Sequence, residues 1–350
     1  MIRRPPDALG DFAARLFTAA GLEPPKAASM ARLLVLTDMM GRHTHGLAQC
    51  GPYLEALATG AMAREGGPEV LRDTGPTLVW DGRYLPGLWL VEQALGLGFE
   101  RIGRHGTVTF AIRRSHHIGC LAALAKQATD RGLFVMLASS GPHGATVAPF
   151  GGRQAVFSPN PFAIGFPTSA APVLVDISAS ITTVSMTRQK VAAGEQFAHE
   201  WLLDSQGRPT RDPAVMEGAG ERGSLMLLGG TDSGHKGFGL ALMVEALTQG
   251  LAGHGRRDAP TQWGASVWLQ LMDPEAFAGR EAFTAQMDFL VDRCHANPPI
   301  DPDRPVRLPG EQASRLIAEA KAEGVPLSAA TVAGLRDWAA RLGVEAAPLA

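Results

Sequence analysis

Residues 107–119 read TVTFAIRRSHHIG. The apolar, β-rich run at 107–112 predicts a strand, and the polar residues 113–117 follow directly at its C-terminal end, where open α/β folds place their ligands. Four more runs share this texture: LVWDG at 78–82, LFVMLAS at 133–139, PVLVDIS at 172–178 and ASVWLQL at 265–271. Helical stretches near 86–103, 119–131, 237–250 and 280–295 separate them, and that alternation predicts an α/β region from residue 76 onward.

The flanks are helical. Leu9, Phe12, Ala13, Leu16 and Phe17 recur at the spacing of one helical face, and Gly21 with Pro24 and Pro25 supplies the stop. Met30, Leu33, Leu34 and Thr37 repeat the pattern until Gly41, so His43, Thr44 and His45 fall just past a helix end. At the other end, PGEQASRLIAEAKAEG at 309–324 and LSAATVAGLRDWAARLG at 327–343 predict two amphipathic helices joined across Val325 and Pro326. The expected division is a helical segment 1–75 carrying the histidine loop, an α/β region 76–300, and a helical segment 301–350 packing on the N-terminal part. Pro/Gly-rich loops are expected near 60–76, 141–172 and 296–310, the middle one containing His143, the APFGG run and SPNPFAIGFP.

Composition narrows the class. The 350 residues are 45% apolar and 19% charged, and 32 basic against 34 acidic residues give a net charge of -2. A folded globular enzyme is expected, with no field to attract nucleic acid. Cys50, Cys120 and Cys294 are far apart and odd in number, which points away from a disulfide framework and toward a reducing, cytoplasmic setting. No stretch has the length and apolarity of a signal sequence or a membrane span.

Three clusters carry chemistry. RHTHG at 42–46 places imidazoles in a loop, where they can give and take protons near neutrality or stand simply solvated. The Ser115-His116-His117 set at the strand end reads equally as a ligand site or as a helix cap with an exposed neighbour. GHKGFGL at 234–240 predicts a Gly-rich turn opening a helix, with Lys236 beside free N–H groups suited to an anionic phosphate. It is not a P-loop, because His235 separates Gly234 from Lys236, and no G-x-G-x-x-G fingerprint follows a strand. A competing reading is a metal-dependent hydrolase using the His43/His45 and His116/His117 clusters with Asp176.

These segments, in order, resemble the malate/L-lactate dehydrogenase family, which also contains ureidoglycolate, sulfolactate and diketogulonate dehydrogenases and piperideine-carboxylate reductases. The resemblance rests on THG at 44–46, SHHIG at 115–119, APFGG at 148–152, NP at 160–161, VDISAS at 175–180, GHKGFGL at 234–240 and PGE at 309–311. It implies a three-layer α/β/α fold with a mixed sheet, distinct from the common dinucleotide fold. It further implies a homodimer formed through the 76–300 region and hydride exchange between NAD or NADP, NAD taken first, and a small 2-hydroxy or 2-oxo acid or cyclic imino acid.

By the same resemblance the cofactor lies along Ser140, Asn160, Pro161, Asp176, Ile177, Ser178, Lys236, Gly237, Pro309, Gly310 and Glu311, with no metal. His45 is the expected proton donor, with Thr44 on the reacting group, Asp176 orienting the imidazole and His117 the second acid/base candidate. The substrate residues are Arg42, Gln49 and Ser115. Two departures stand out. Gln49 replaces an arginine suited to a carboxylate, a role that Arg42, Arg114 or Arg188 would then take; and TTVSMTRQK at 182–190 lacks the family's Gly-Lys pair.

Overall fold

A computed structural model of the chain describes residues 2–218 and 220–349. A short strand β1 (Ile2–Arg4) leads into helices α1 (Pro6–Ala19), α2 (Pro24–Met39) and α3 (Cys50–Ala58). The α/β part runs β2 (Glu69–Asp73), β3 (Thr77–Asp81), α4 (Gly87–His105), β4 (Thr107–Ser115), α5 (Leu121–Thr129), β5 (Phe134–Ser140), β6 (Pro161–Phe166) and β7 (Val173–Ser178). There follow α6 (Val184–Ala193), the short strands β8 (Leu202–Leu203), β9 (Pro209–Thr210) and β10 (Ser224–Leu225), and α7 (Gly230–Glu245) with a π-helical continuation at Ala246–Gly250. The chain closes with β11 (Ala265–Met272), α8 (Arg280–His295), α9 (Glu311–Glu323), β12 (Val325–Leu327) and α10 (Ala329–Leu342).

Seven strands form one sheet in the order β2-β3-β4-β11-β5-β6-β7. Only β3 and β4 pair in parallel; every other neighbour is antiparallel, so the sheet is mixed as expected. Period-2 alternation gives each central strand two apolar faces. One carries Phe110, Leu137, Val267 and Leu269 against Val91 of α4 and Leu124 of α5. The other carries Ala138, Phe162 and Trp268 against Val244 and the π-helical turn. Helices on both faces make the three layers.

Strand β11, late in the chain, inserts between β4 and β5 and runs antiparallel to both, pairing Ala265 with Ser115 and Ser266 with Ser140. Its beginning therefore meets their ends, which gathers residues 115–117, 140–143 and 263–264 at one edge of the sheet. Helix α2 covers α4 and α5 and is itself covered by α9, while α10 packs on α1 and α3. Strands β1 and β12 pair the two ends of the chain.

Several elements differ from the sequence expectation. Strand β2 lies inside the expected 60–76 loop; all five of its residues are exposed, so no alternation marks it. Strand β6 lies inside the expected 141–172 loop, where Pro161 and Gly165 mask a buried apolar run. Helices α3 and α6 and the small β10-β8-β9 sheet were not anticipated. The GHKGFGL segment does not open a helix as a turn: α7 begins earlier, at Gly230, with an irregular residue at Ser233 and the segment within the regular part.

Gly87 at the start of α4 allows the closest approach to the sheet edge. A Cβ there would lie 2.2 Å from the His116 carbonyl oxygen and 2.5 Å from that of His117. Gly96, in the exposed middle of the same helix, has nothing within 4 Å of its Cβ position. Gly87→Ala is therefore expected to destabilise the fold by about 1–3 kcal/mol by pushing backbone aside, while Gly96→Ala stabilises it by about 0.5–1 kcal/mol through helix propensity. Urea unfolding of the two variants checks this; the opposite ranking would remove the close approach.

Candidate active site

The loop after α2 is held from below by a buried carboxylate. Asp38 accepts hydrogen bonds from the Leu47 amide at 2.7 Å and pairs with Nδ1 of His43 at 2.9 Å. Gly46 runs directly over it: a Cβ at 46 would sit 2.3 Å from the Asp38 carboxyl carbon. Burial pushes the Asp38 pKa up against the pull of His43 and the Leu47 amide, and the bond to Asp38 raises that of His43. His43 is thus spent on the loop's own scaffold.

His45 points the other way. Its Nδ1 is 2.9 Å from Thr44 Oγ1, and its ring stacks on His117 with centroids 6.0 Å apart and planes 29° from parallel. His117 in turn meets the Tyr53 hydroxyl at 2.7 Å through Nδ1. Trp263 lies beside both Tyr53 and His116, with its ring centroid 4.5 Å from the imidazole of His116. His143, hydrogen-bonded to the backbone of Gly264, completes the row.

Aromatic enclosure keeps these imidazoles neutral. Burial pushes both His116 and His117 down to about 3 and lowers His143. His45 is lowered by burial and by the Arg42 cation, while Asp176 acts in the opposite direction. Asp176 is in electrostatic reach of His45, and its Oδ2 also accepts from the Ala122 amide at 3.0 Å, at the start of α5. Thr44, His45, His117 and Asp176, expected as one catalytic group, are brought to one place.

Beside them opens a cleft of about 790 Å³. Arg42, Ala122, Leu174, Arg304, Arg307, Pro309 and Gly310 line it, so it runs from the His45 loop to the 309–311 turn. Glu311 faces away, bonded to the Leu308 amide and His295. The guanidinium groups of Arg42, Arg304 and Arg307 suit a ligand with charged phosphates.

The remaining expected residues are placed differently. Asn160 is buried at φ +48° and donates to the Ala241 carbonyl and to Glu245, while Ser140 bonds Thr248 and Gln249. Their side chains tie the sheet to α7 and its continuation. Ser178 bonds the Ser180 carbonyl, Ile177 is exposed beside it, and Pro161 pairs with Ser178 across the ladder. Lys236 is exposed on α7, and Gly237 packs its backbone on Leu228. A second cleft of about 570 Å³, between the APFGG loop and the start of α7, lies on that side of the molecule.

Of the substrate residues, Arg42 reaches the main cleft, while Gln49 donates to the Thr44 carbonyl at 2.7 Å and braces the loop. Ser115 is fully buried, its hydroxyl donating to the His116 carbonyl. Arg114 is taken by Asp81, and Arg188 is exposed on α6. Tyr53, Trp263, His143 and Asp38 were missed by sequence reading. His143 lay in a loop already marked as informative, whereas Tyr53 and Trp263 carry no local pattern.

The two histidine pairs do not converge on an ion. His43 turns to Asp38 and His45 to His117, and among the described residues no three His, Cys, Asp or Glu side chains are grouped as a metal site. A metal-dependent hydrolase built on these clusters does not fit side chains committed in this way, nor the family to which the chain belongs. No helix among the described residues is long and apolar enough to cross a membrane.

The chain is 29% identical over 343 residues to hydroxycarboxylate dehydrogenase B of Escherichia coli (strain K12), covering 96% of this chain and 93% of that one. It is 30% identical over 293 residues to an L-lactate dehydrogenase of Cupriavidus necator, covering 81% and 82%. In structure it is similar to the delta1-piperideine-2-carboxylate reductase of Pseudomonas syringae, with TM-score 0.84, 25% identity and coverage of 97% and 100%. The profile describing malate/L-lactate dehydrogenases matches residues 5–336, nearly the whole length, and the chain belongs to that family of oxidoreductases acting on small hydroxy acids.

Proposed function

We propose that the protein is an NAD(P)-dependent dehydrogenase that interconverts a small 2-hydroxy acid and its 2-oxo acid, with His45 as the proton-transferring group. The observation that carries this reading is the stacked His45/His117 pair within electrostatic reach of Arg42, which lines the main cleft. A nicotinamide cofactor, NAD or NADP, supplies the exchange of hydride with the substrate's 2-carbon when bound. Arg42, Arg307 and the Pro309-Gly310 turn are the residues that would hold it or its neighbouring substrate in the cleft. Assembly as a homodimer in the cytoplasm belongs to the same reading, and the exposed apolar Leu242 and Met243 on α7 support a subunit contact.

The proton chemistry follows from His45. Its lowered pKa leaves the imidazole neutral at pH 7, ready to take the hydroxyl proton as the substrate is oxidised. In reduction the protonated imidazole gives that proton to the developing alkoxide. Thr44 holds Nδ1, so the exchange falls to Nε2, and Asp176 steadies the imidazolium by its charge. Arg42, which lines the cleft and whose charge acts on His45, is suited to the substrate carboxylate now that Gln49 braces the loop. Reduction of a cyclic imino acid is the second reading, favoured by the reductase from Pseudomonas syringae among the structural relatives.

Absorbance of the reduced nicotinamide, followed with NADH and NADPH over pyruvate, oxaloacetate, sulfopyruvate, phenylpyruvate, ureidoglycolate and piperideine-2-carboxylate, tests the activity; no turnover with any pair refutes it. His45→Ala is expected to lower kcat by about 10²- to 10⁴-fold with little change in cofactor Kd. For the pH dependence, a lowered histidine pKa means that oxidation holds as pH falls through the ordinary value of 6.5 and declines only below it. Arg42→Ala removes a cation that lowers His45, so the break should move to higher pH while KM for the acid rises. A profile that stays in place would separate Arg42 from His45.

A further inference from the structure

The two ring nitrogens of His117 face different surroundings. Nδ1 lies 2.7 Å from the Tyr53 hydroxyl and 3.4 Å from the backbone N–H of Gly119. An amide N–H only donates, so Nδ1 presents a lone pair on that side. Tyr53 is wholly buried, has no other hydrogen-bond partner among the described residues, and burial drives its phenol pKa up. Its O–H therefore stays protonated and donates to the same lone pair. A neutral imidazole that accepts at Nδ1 carries its proton on Nε2.

That second nitrogen is the one left over. Nε2 of His117 has no hydrogen-bond partner among the described residues, and His117 is only half-buried, whereas both nitrogens of the neighbouring His116 are sealed. The His117 Nε2 belongs to the ring stacked on His45, the group proposed above to exchange the proton. We propose that Tyr53 is a positioning residue that locks His117 as the Nε2–H tautomer, making His117 a fixed hydrogen-bond donor to the reacting substrate oxygen and leaving proton transfer to His45 alone. The substrate half of this inference rests on the dehydrogenase reading above; the tautomer half does not.

The lock also bears on the choice between carbonyl and imine. A 2-oxo oxygen, and the alkoxide it becomes, accept a hydrogen bond throughout the reaction. An imine nitrogen that has taken a proton offers an N–H, and would face the N–H of His117 donor to donor. The fixed tautomer thus favours 2-oxo acids over cyclic imino acids.

Long-range ¹H–¹⁵N correlation spectra of protein carrying ¹⁵N-labelled histidine read the tautomer directly, without substrate. The wild type should show His117 with a protonated Nε2 and a bare Nδ1, and Tyr53→Phe, which keeps the ring and removes only the hydroxyl, should shift the signal toward a mixture of tautomers. In the same variant kcat/KM for the best 2-oxo acid should fall about five- to tenfold, the loss of one hydrogen bond. A wild-type His117 protonated at Nδ1, or a Tyr53→Phe spectrum identical to wild type, overturns the lock. Absence of turnover with every substrate refutes the dehydrogenase reading and leaves the tautomer signal where it was, so the two failures are told apart.

Discussion

The insertion of β11 between β4 and β5 is the constraint on which the rest depends. An antiparallel strand placed between two others begins where both of them end. Ser115 is therefore opposite Ala265 and Ser140 opposite Ser266, although they are separated by well over a hundred residues of chain. The chain leaving β4 carries His116 and His117, the chain leaving β5 carries His143, and the chain entering β11 carries Trp263. All four side chains arrive at one edge because of that single register.

The N-terminal helices complete this edge. Pairing of β1 with β12 and the packing of α9 and α10 on α1 to α3 hold the helical layer against α4 and α5. From that layer come Tyr53 on α3 and the His45 loop, the latter kept in place by the carboxylate of Asp38 beneath Gly46. Gly87 allows α4 to come close to the carbonyls of residues 116 and 117. The histidines are thus held by close backbone contact with α4 and by the rings of Tyr53 and Trp263.

Desolvation then sets the chemistry. Imidazoles enclosed by Tyr53, Trp263 and one another pay the cost of charge in a poorly hydrated space, so His116 and His117 are held neutral far below the ordinary histidine range. His45 stands at the rim of this enclosure, between the opposing influences of Arg42 and Asp176, and is lowered less. Similar rings, a few ångströms apart, are given different capacities by their depth and by which nitrogen each has already committed.

Local pattern was enough for β3, β4, β5, β7 and β11, the helices at 86–103, 119–131 and 280–295, and the position of His43 to His45 past a helix end, because apolar periodicity is written in the residues themselves. The motif order also made the family legible. Beyond its reach were β2, whose exposed residues leave no periodic trace, and β6, disguised by Pro161 and Gly165. The partners of each functional group were likewise hidden: Asn160 tied to Glu245, Gln49 to the Thr44 carbonyl, Tyr53 to His117. Residue type and spacing determine which elements form and which groups can exchange a proton or hold an anion. Only the tertiary structure decides which nitrogen of which histidine is free, because hydrogen-bond partners and desolvation come from chain segments remote in sequence.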